Sequence, residues 1–247
     1  LEASAGRLAH NHPLTLGIAG NIRNTITELV ELVGDEPHYD QRRELLSQQH
    51  EERENSFAAA LAEQHQRLPM TPSVALSELA QAVTGDVVLV EEAITASNDV
   101  IRQFDRDGTL AVYRCRGGGI GQGIAGCIGA AVAHPEHRVL SFSGDGSAMY
   151  SNQAFWTAAH HNLRIVFIIM SNREYRVLKQ NADQYRHRFD APTNRPYPHM
   201  DLSQPTLEFV GMAGSMGVPG RQVTRPEEIP DAVAEAFATD GPFLIDL

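Results

Sequence analysis

Hydrophobic positions are irregular in the first quarter of the chain and regular after Thr71. Apolar runs at 87–90, 138–142, 164–170 and 242–247 are separated by segments with helical spacing of apolar residues. Runs of this length are typical of strands buried on both faces, and a helix between consecutive strands favours parallel order. The pattern therefore predicts an α/β fold with a doubly wound, mainly parallel sheet and helices on both faces.

The residues before Thr71 do not show this alternation. Residues 14–18 (LTLGI) are predicted to form a short strand, and Asn21 is predicted to cap a helix over 22–33. The charged run from 41 to 68 alternates in sign and has few large apolar residues, which is typical of a solvated helix. One strand and one helix cannot enclose a core. We therefore expect 1–35 to be the end of another domain, 36–68 a helical linker, and 69–247 the main domain.

The composition of the chain argues against two classes of partner and indicates a cellular location. The chain has 247 residues and a formal net charge of −11, whereas nucleic-acid grooves and anionic membrane surfaces require clustered Lys and Arg. We therefore expect no nucleic-acid partner and no membrane partner. The two cysteines, Cys115 and Cys127, form no CxxC pair, and no signal pattern or long apolar segment is present. A reducing, cytoplasmic location is the expectation.

A glycine motif points to one possible function. GQGIAG at 121–126 is a GxGxxG that follows a predicted strand and opens a predicted helix, and Asp145 lies 19 residues after its last glycine. This arrangement is typical of dinucleotide-binding folds, so an NAD-dependent oxidoreductase is one hypothesis. Two details disfavour it: the glycine run already begins at Gly117, and Asp145 is flanked by glycines that a ribose-binding acid does not need.

Polar residues at the ends of two consecutive strands suggest a different site. Asp145 and Asn172 each follow a predicted strand, with 25 residues between Gly146 and Asn172. Consecutive parallel strands joined by a right-handed crossover end at the same sheet edge. A carboxylate, an amide oxygen and a main-chain carbonyl suit Mg²⁺ or Ca²⁺, and glycines with Ser147 at a helix start suit a diphosphate. A metal-bridged diphosphate site is predicted, and a tight turn with a capped helix is the structural alternative.

The same residues resemble a known family. GDG at 144–146 followed by Asn172 resembles the thiamine diphosphate motif, and 117–131 resembles the glycine-rich segment beneath the thiamine rings in those enzymes. Residues 88–97 and 241–247 resemble further strands of that domain, so the match covers 70–247. The chain is most similar to the benzoylformate decarboxylase and acetolactate synthase group. The resemblance implies the thiamine diphosphate-binding fold, thiamine diphosphate and Mg²⁺ as cofactors, and decarboxylation or carboligation of a 2-oxo acid substrate.

The resemblance also assigns roles to individual positions. Asp145, Asn172 and the main-chain carbonyl of Glu174 would hold the metal ion. At the diphosphate, Thr95 would donate a hydrogen bond, and Gly144, Gly146 and Ser147 would border the group. At the rings, the main-chain carbonyl of Gly118 would accept from the aminopyrimidine, and Ile120 would lie beneath the thiamine. Tyr175 and Val177 would lie beside the cofactor. For Ile120, Tyr175 and Val177, ordinary core packing is the alternative.

The chain also departs from the family pattern. Arg173 stands where Gly is usual and Arg176 where a small residue is common. No Glu here can be assigned the cofactor-activating role, which the resemblance places in a pyrimidine-binding domain, and 1–35 resemble the end of the family's central domain. A homodimer or homotetramer is therefore implied, with the activating Glu on the same or a partner chain. A non-catalytic cofactor-binding subunit of a two-chain enzyme is the remaining alternative. The polar residues 181–200 are expected to form a loop.

Overall fold

A computed structural model of the protein describes residues 1–34, 37–105, 108, 110–192 and 194–247. The chain divides into two compact units, Leu1–Ala59 and Ala60–Leu247. The expected boundary between 35 and 36 lies outside the described residues, and the assignment of 1–35, 36–68 and 69–247 to three parts stays a prediction.

The first unit is helical. It contains a 3₁₀ turn at Ala5–Arg7, helix α1 at Ile22–Val33 and the first part of helix α2 at Pro37–Gln64. Asn21 caps α1 as predicted, since its Oδ1 accepts from Asn24 N at 3.1 Å. The strand predicted at 14–18 is wrong: the described residues of this unit offer only a single bridge, Glu2 to Ala19, and no second strand with which to pair. No described residue of 1–59 is fully buried.

The second unit is built on a six-stranded sheet in which every neighbouring pair is parallel. The strands follow the order β2-β1-β3-β4-β6-β5. They are β1 at Val87–Glu92, β2 at Ala111–Arg114, β3 at Arg138–Gly144, β4 at Ile165–Met170, β5 at Gly220–Gln222 and β6 at Phe243–Asp246. The predicted parallel α/β sheet is confirmed.

Helices cover both faces of this sheet. They are α3 at Pro72–Ala82, α4 at Ser97–Phe104, α5 at Gln122–Ala133, α6 at Asp145–Ala148, α7 at Ala154–His160, α8 at Arg176–Arg188, α9 at Phe209–Ser215 and α10 at Ile229–Ala238, with 3₁₀ turns at Ile94–Ala96 and Pro226–Glu228.

Two hydrophobic cores lie on opposite faces of the sheet because side chains alternate along each strand. One core joins Leu76 of α3 and Ile229 of α10 to Phe142 of β3. The other joins Ile124 of α5 and Phe155 of α7 to their neighbours on the second face. Each fully buried Leu, Ile or Phe stabilises the fold by about 1.5–3 kcal/mol relative to exposure. Among the described helices, none is both long and apolar enough to cross a membrane.

Helix α8 corrects the prediction of a loop over 181–200 in its first part, 181–188, whereas the described residues from 189 to 200 form neither helix nor strand. Its described residues are exposed or half-buried, so no apolar stripe marks the helix in the sequence. Its last turn carries Arg186, His187 and Arg188, and cations there interact favourably with the negative end of the helix dipole. Arg186 also donates to the Arg195 carbonyl at 3.1 Å and lies over the Tyr197 ring. Charge and a polar anchor stabilise this helix, and a hydrophobic pattern does not reveal them.

Candidate functional site

The site lies where the chain reverses its direction of travel across the sheet. From β1 the chain continues to β2 on one side, and from β3 it continues to β4 on the other. In open parallel sheets, ligands bind outside the carboxyl ends of the strands at such a point. Gly144 pairs with Met170 in the β3–β4 register, so Asp145 and Asn172 follow neighbouring strands at one edge. The predicted neighbourhood of these two residues is confirmed.

Asp145 is a buried carboxylate to which no described residue provides a counter-charge. It is 3% exposed and opens α6, where its Oδ1 accepts from Gly146 N at 2.7 Å. Its Oδ2 accepts from Arg173 N at 2.6 Å, which ties α6 to the loop after β4. Desolvation raises the pKa of Asp145, the two backbone hydrogen bonds oppose this, and the carboxylates of Asp246 and Glu174 add to the rise. No Lys, Arg or His within the described ranges forms an ion pair with Asp145. A bound cation would supply the missing charge.

The loop after β4 presents oxygen atoms beside Asp145. Asn172 is exposed, and its Oδ1 accepts from Glu174 N at 3.1 Å. The Glu174 side chain already pairs with Arg176 at 2.9 Å and with Lys179. The hydrogen bond from Lys179 is the largest cause of the lowered pKa of Glu174. Since that carboxylate is engaged, the main-chain carbonyl is the group that Glu174 can offer to a metal ion.

Arg173 adopts a conformation that suits glycine. Its φ is 58°, in the left-handed region that side-chain-bearing residues rarely occupy. Its carbonyl accepts from Leu202 N at 2.8 Å while its N–H donates to Asp145, so both backbone groups are fixed. The backbone here has the shape that glycine would accept without strain, although the residue is Arg.

An aromatic ring closely approaches Gly146. A Cβ at position 146 would lie 2.5 Å from Cε1 of Tyr175, so any other residue there would force the ring or the backbone to shift. Tyr175 therefore packs directly on the GDG segment. Ser147 is buried in α6, and Val177 is half-buried in the first turn of α8. The structure brings Gly144, Gly146, Ser147, Tyr175 and the metal-ligand candidates into one region.

Three other predicted cofactor contacts lie on segments that precede α6 in the chain. Thr95 is exposed in the 3₁₀ turn after β1, Gly118 is exposed with a φ of 72°, and Ile120 is half-buried before α5. Within the described part of the chain, no hydrogen bond joins any of these residues to Asp145 or its loop. Their cofactor contacts stay predictions.

Sequence reasoning missed Glu92, a buried carboxylate at the end of β1. Its Oε1 accepts from Gly121 N at 2.8 Å and from Gln122 N at 3.1 Å, and its Oε2 accepts from Gly123 N at 2.9 Å. The Cys115 thiol donates to Oε1 as well, at 3.1 Å. The sequence did contain a signal for this role, because two glutamates, Glu91 and Glu92, end an otherwise apolar strand. Glu92 therefore occupies the N-terminus of α5.

The contacts of Glu92 decide whether the GQGIAG motif can bind a dinucleotide. A dinucleotide would place its pyrophosphate on the free N–H groups at the start of the helix. Here those N–H groups already donate to an internal carboxylate, and a Cβ at Gly123 would lie 2.7 Å from the Cβ of Glu92. Gly123 thus allows close packing against Glu92, whereas Gly121 is closely approached by Tyr150. The geometry argues against the NAD hypothesis.

The sequence of this chain matches a known protein family. Residues 101–247, more than half of the chain, match the thiamine pyrophosphate enzyme family through its C-terminal TPP-binding domain. The chain belongs to this family. The predicted family resemblance and fold are confirmed, whereas the roles of individual residues are not tested by the match.

Individual relatives agree with the family assignment. A Mycobacterium tuberculosis protein, IlvX, named as an acetolactate synthase large subunit, is 43% identical over 53% of this chain and 25% of its own length. Benzoylformate decarboxylase of Pseudomonas aeruginosa is 29% identical over 72% of this chain and 32% of its own length. The solved thiamine diphosphate-dependent 4-hydroxybenzoylformate decarboxylase of Rhodococcus jostii superposes with a TM-score of 0.65 at 28% identity, covering 73% of this chain and 33% of that one. The chain thus spans about a quarter to a third of the length of these relatives.

Proposed function

We propose that this chain is the part of a thiamine diphosphate- and Mg²⁺-dependent enzyme that holds the cofactor's diphosphate through a metal ion. The observation that carries the proposal is Asp145, a buried carboxylate without a described cationic partner at the topological switch point. Its hydrogen bond to Arg173 N fixes it beside the loop that holds Asn172 and Glu174.

The donor set fits Mg²⁺. Asp145 offers a carboxylate oxygen, Asn172 an amide oxygen and Glu174 a main-chain carbonyl, and hard divalent cations take oxygen ligands of these kinds. Gly144, Gly146 and Ser147 would border the diphosphate, because they line the start of α6 next to Asp145. We extend the proposal to Thr95, Gly118, Ile120, Tyr175 and Val177 as further cofactor contacts, as the family resemblance implies.

The protein's role in this proposal is binding and orientation. Thiamine diphosphate, when bound, supplies the electron sink for cleaving the bond between the carboxylate and the carbonyl carbon of a 2-oxo acid. The described residues at the site fix the anionic end of the cofactor, and no described residue is assigned the activating Glu. We propose that this Glu comes from a pyrimidine-binding domain on the same or a partner chain, within a homodimer or homotetramer. The names of the relatives support 2-oxo acid decarboxylation or carboligation as the reaction.

Calorimetric titration of the 247-residue chain tests this proposal. Thiamine diphosphate should bind with Mg²⁺ present and should lose most of its affinity when EDTA removes the metal. Thiamine, which lacks the diphosphate, is the matched ligand control and should bind far more weakly in both conditions. Equal affinity for thiamine diphosphate with and without metal, or tighter binding of NAD⁺ than of thiamine diphosphate, would overturn the proposal.

A further inference from the structure

A cluster of metal-ligating side chains lies on the turn between α5 and β3. His134, Glu136 and His137 each offer one ligand atom, and these atoms lie within 4.8 Å of one another. The turn precedes β3, whereas Asp145 follows it. The cluster therefore lies at the amino end of this strand, and the proposed diphosphate site lies at its carboxyl end. The function proposed above does not use it.

The backbone of this turn is fixed before any ligand binds. His137 N donates to the His134 carbonyl at 3.1 Å, which closes a four-residue turn with Pro135 at its second position. Proline at that position presets the backbone angle that such turns need. His134 N also donates to the Ala130 carbonyl at 3.0 Å, so the turn is attached to the end of α5 on one side and to β3 on the other. A chelating turn of this kind has little conformational entropy left to lose.

The side chains are oriented as well. The Tyr113 hydroxyl lies 2.8 Å from His134 Nε2, which leaves Nδ1 of that ring for another partner. Glu136 Oε1 lies 2.7 Å from His137 Nδ1, so a carboxylate oxygen and an imidazole nitrogen already face each other. In metal sites, a second hydrogen bond to the ligating imidazole commonly sets the ring's orientation, and Tyr113 is in the position to make it.

We propose that His134, Glu136 and His137 form a binding site for a borderline divalent transition-metal ion, of which Zn²⁺ is the representative. Two imidazole nitrogens and one carboxylate oxygen suit Zn²⁺, with water in the fourth position, whereas Mg²⁺ and Ca²⁺ require mainly oxygen ligands. The bound ion would join the end of α5 to the start of β3, with Tyr113 of β2 as the outer partner. It would differ in hardness and in location from the ion proposed at Asp145.

Zinc titration of the full chain without a polyhistidine tag tests this inference, with a chromophoric chelator as the competitor. The wild-type chain should hold one Zn²⁺ more tightly than any further equivalents, and an excess of Mg²⁺ should not displace it. The variants His134→Ala and His137→Ala should lose this tightest site, and Tyr113→Phe should weaken it by about tenfold, as expected for the loss of an outer-shell partner. Glu136→Gln keeps the shape of the turn and should also weaken binding.

The adjacent pair His160 and His161 provides the matched control. His160 stacks on Trp156, with ring centroids 4.7 Å apart, and this pair is not part of the cluster. Replacing both residues with Ala should leave the tightest Zn²⁺ site unchanged. If Zn²⁺ affinity survives in a folded His134→Ala/His137→Ala variant, or falls equally in the His160→Ala/His161→Ala control, the proposal is wrong.

Discussion

Replacing Glu92 with Gln should destabilise the fold by disrupting the cap of α5. The wild-type carboxylate accepts from three consecutive backbone N–H groups, at 2.8, 3.1 and 2.9 Å, while 1% exposed. Gln has nearly the same shape but only one accepting oxygen, so at least one buried N–H faces an NH₂ group and loses its partner. The variant therefore tests hydrogen bonding and charge with little change in packing volume.

The size of the effect follows from these contacts. A buried donor left unsatisfied costs about 1–3 kcal/mol, and loss of the negative charge at the helix N-terminus costs about 0.3–2 kcal/mol more. The free energy of unfolding should therefore fall by about 1.3–5 kcal/mol for one lost acceptor. In a domain of this size, 1 kcal/mol corresponds to about 2–4 °C in Tm, so we expect Tm to drop by about 3–20 °C.

Thermal and urea unfolding, followed by circular dichroism without cofactor, measure this change. Glu235→Gln is the control, because Glu235 is exposed and its contact with Arg221 is long, at 3.7 Å. Exposed pairs of this kind contribute about 0–1 kcal/mol, so the control should melt close to wild type. A Glu92→Gln Tm within the scatter of that control would refute the claim that Glu92 holds the glycine motif in place.

Three further predictions concern single residues. Gly146→Ala should destabilise the chain by about 1–3 kcal/mol in urea unfolding, because the new methyl overlaps the Tyr175 ring, and Gly144→Ala should cost less. Cys115 should react with iodoacetamide roughly a thousandfold more slowly in the folded chain than in urea. Desolvation, and after it the hydrogen bond to Glu92, raises the pKa of Cys115 to about 12, which depletes the reactive thiolate. Arg173→Gly should be more stable than Arg173→Ala by about 1 kcal/mol, because both lose the side chain but only Gly accepts a φ of 58° without strain. Unchanged urea midpoints within either pair of variants, or rapid labelling of folded Cys115, would contradict the corresponding argument.

Most of the second unit could be predicted because its signals are local. The apolar runs at β1, β3, β4 and β6 and the helices between them specify a parallel sheet covered on both faces. The spacing of Asp145 and Asn172 was sufficient to place them after neighbouring strands, because consecutive strands in such a sheet usually pair. The type of most elements and the pairing of β3 with β4 are thus encoded in short windows of sequence.

The remaining features depend on contacts that no short window contains. Glu92 caps a helix about 30 residues later in the chain, and Tyr175 packs on Gly146 across two elements. Helix α8 has no buried residue among those described, so the hydrophobic pattern did not predict it. The apolar segment 14–18 pairs with no strand among the described residues, so the same pattern predicted a strand that does not form. The predictions failed where a polar anchor or a missing neighbour, rather than periodicity, decides the conformation.

The central claim is that Asp145 holds a metal ion that anchors a diphosphate, and titration of the Asp145→Asn variant with thiamine diphosphate and Mg²⁺ tests it most directly. Asn keeps the size of the side chain and removes its charge. The variant should bind at least about a hundredfold more weakly than wild type, equivalent to about 2.7 kcal/mol, and Asn172→Ala should weaken binding in the same direction. Asp231→Asn, at an exposed position in the first turn of α10, should bind like wild type. Wild-type affinity in a folded Asp145→Asn variant, with the same dependence on Mg²⁺, would contradict the account.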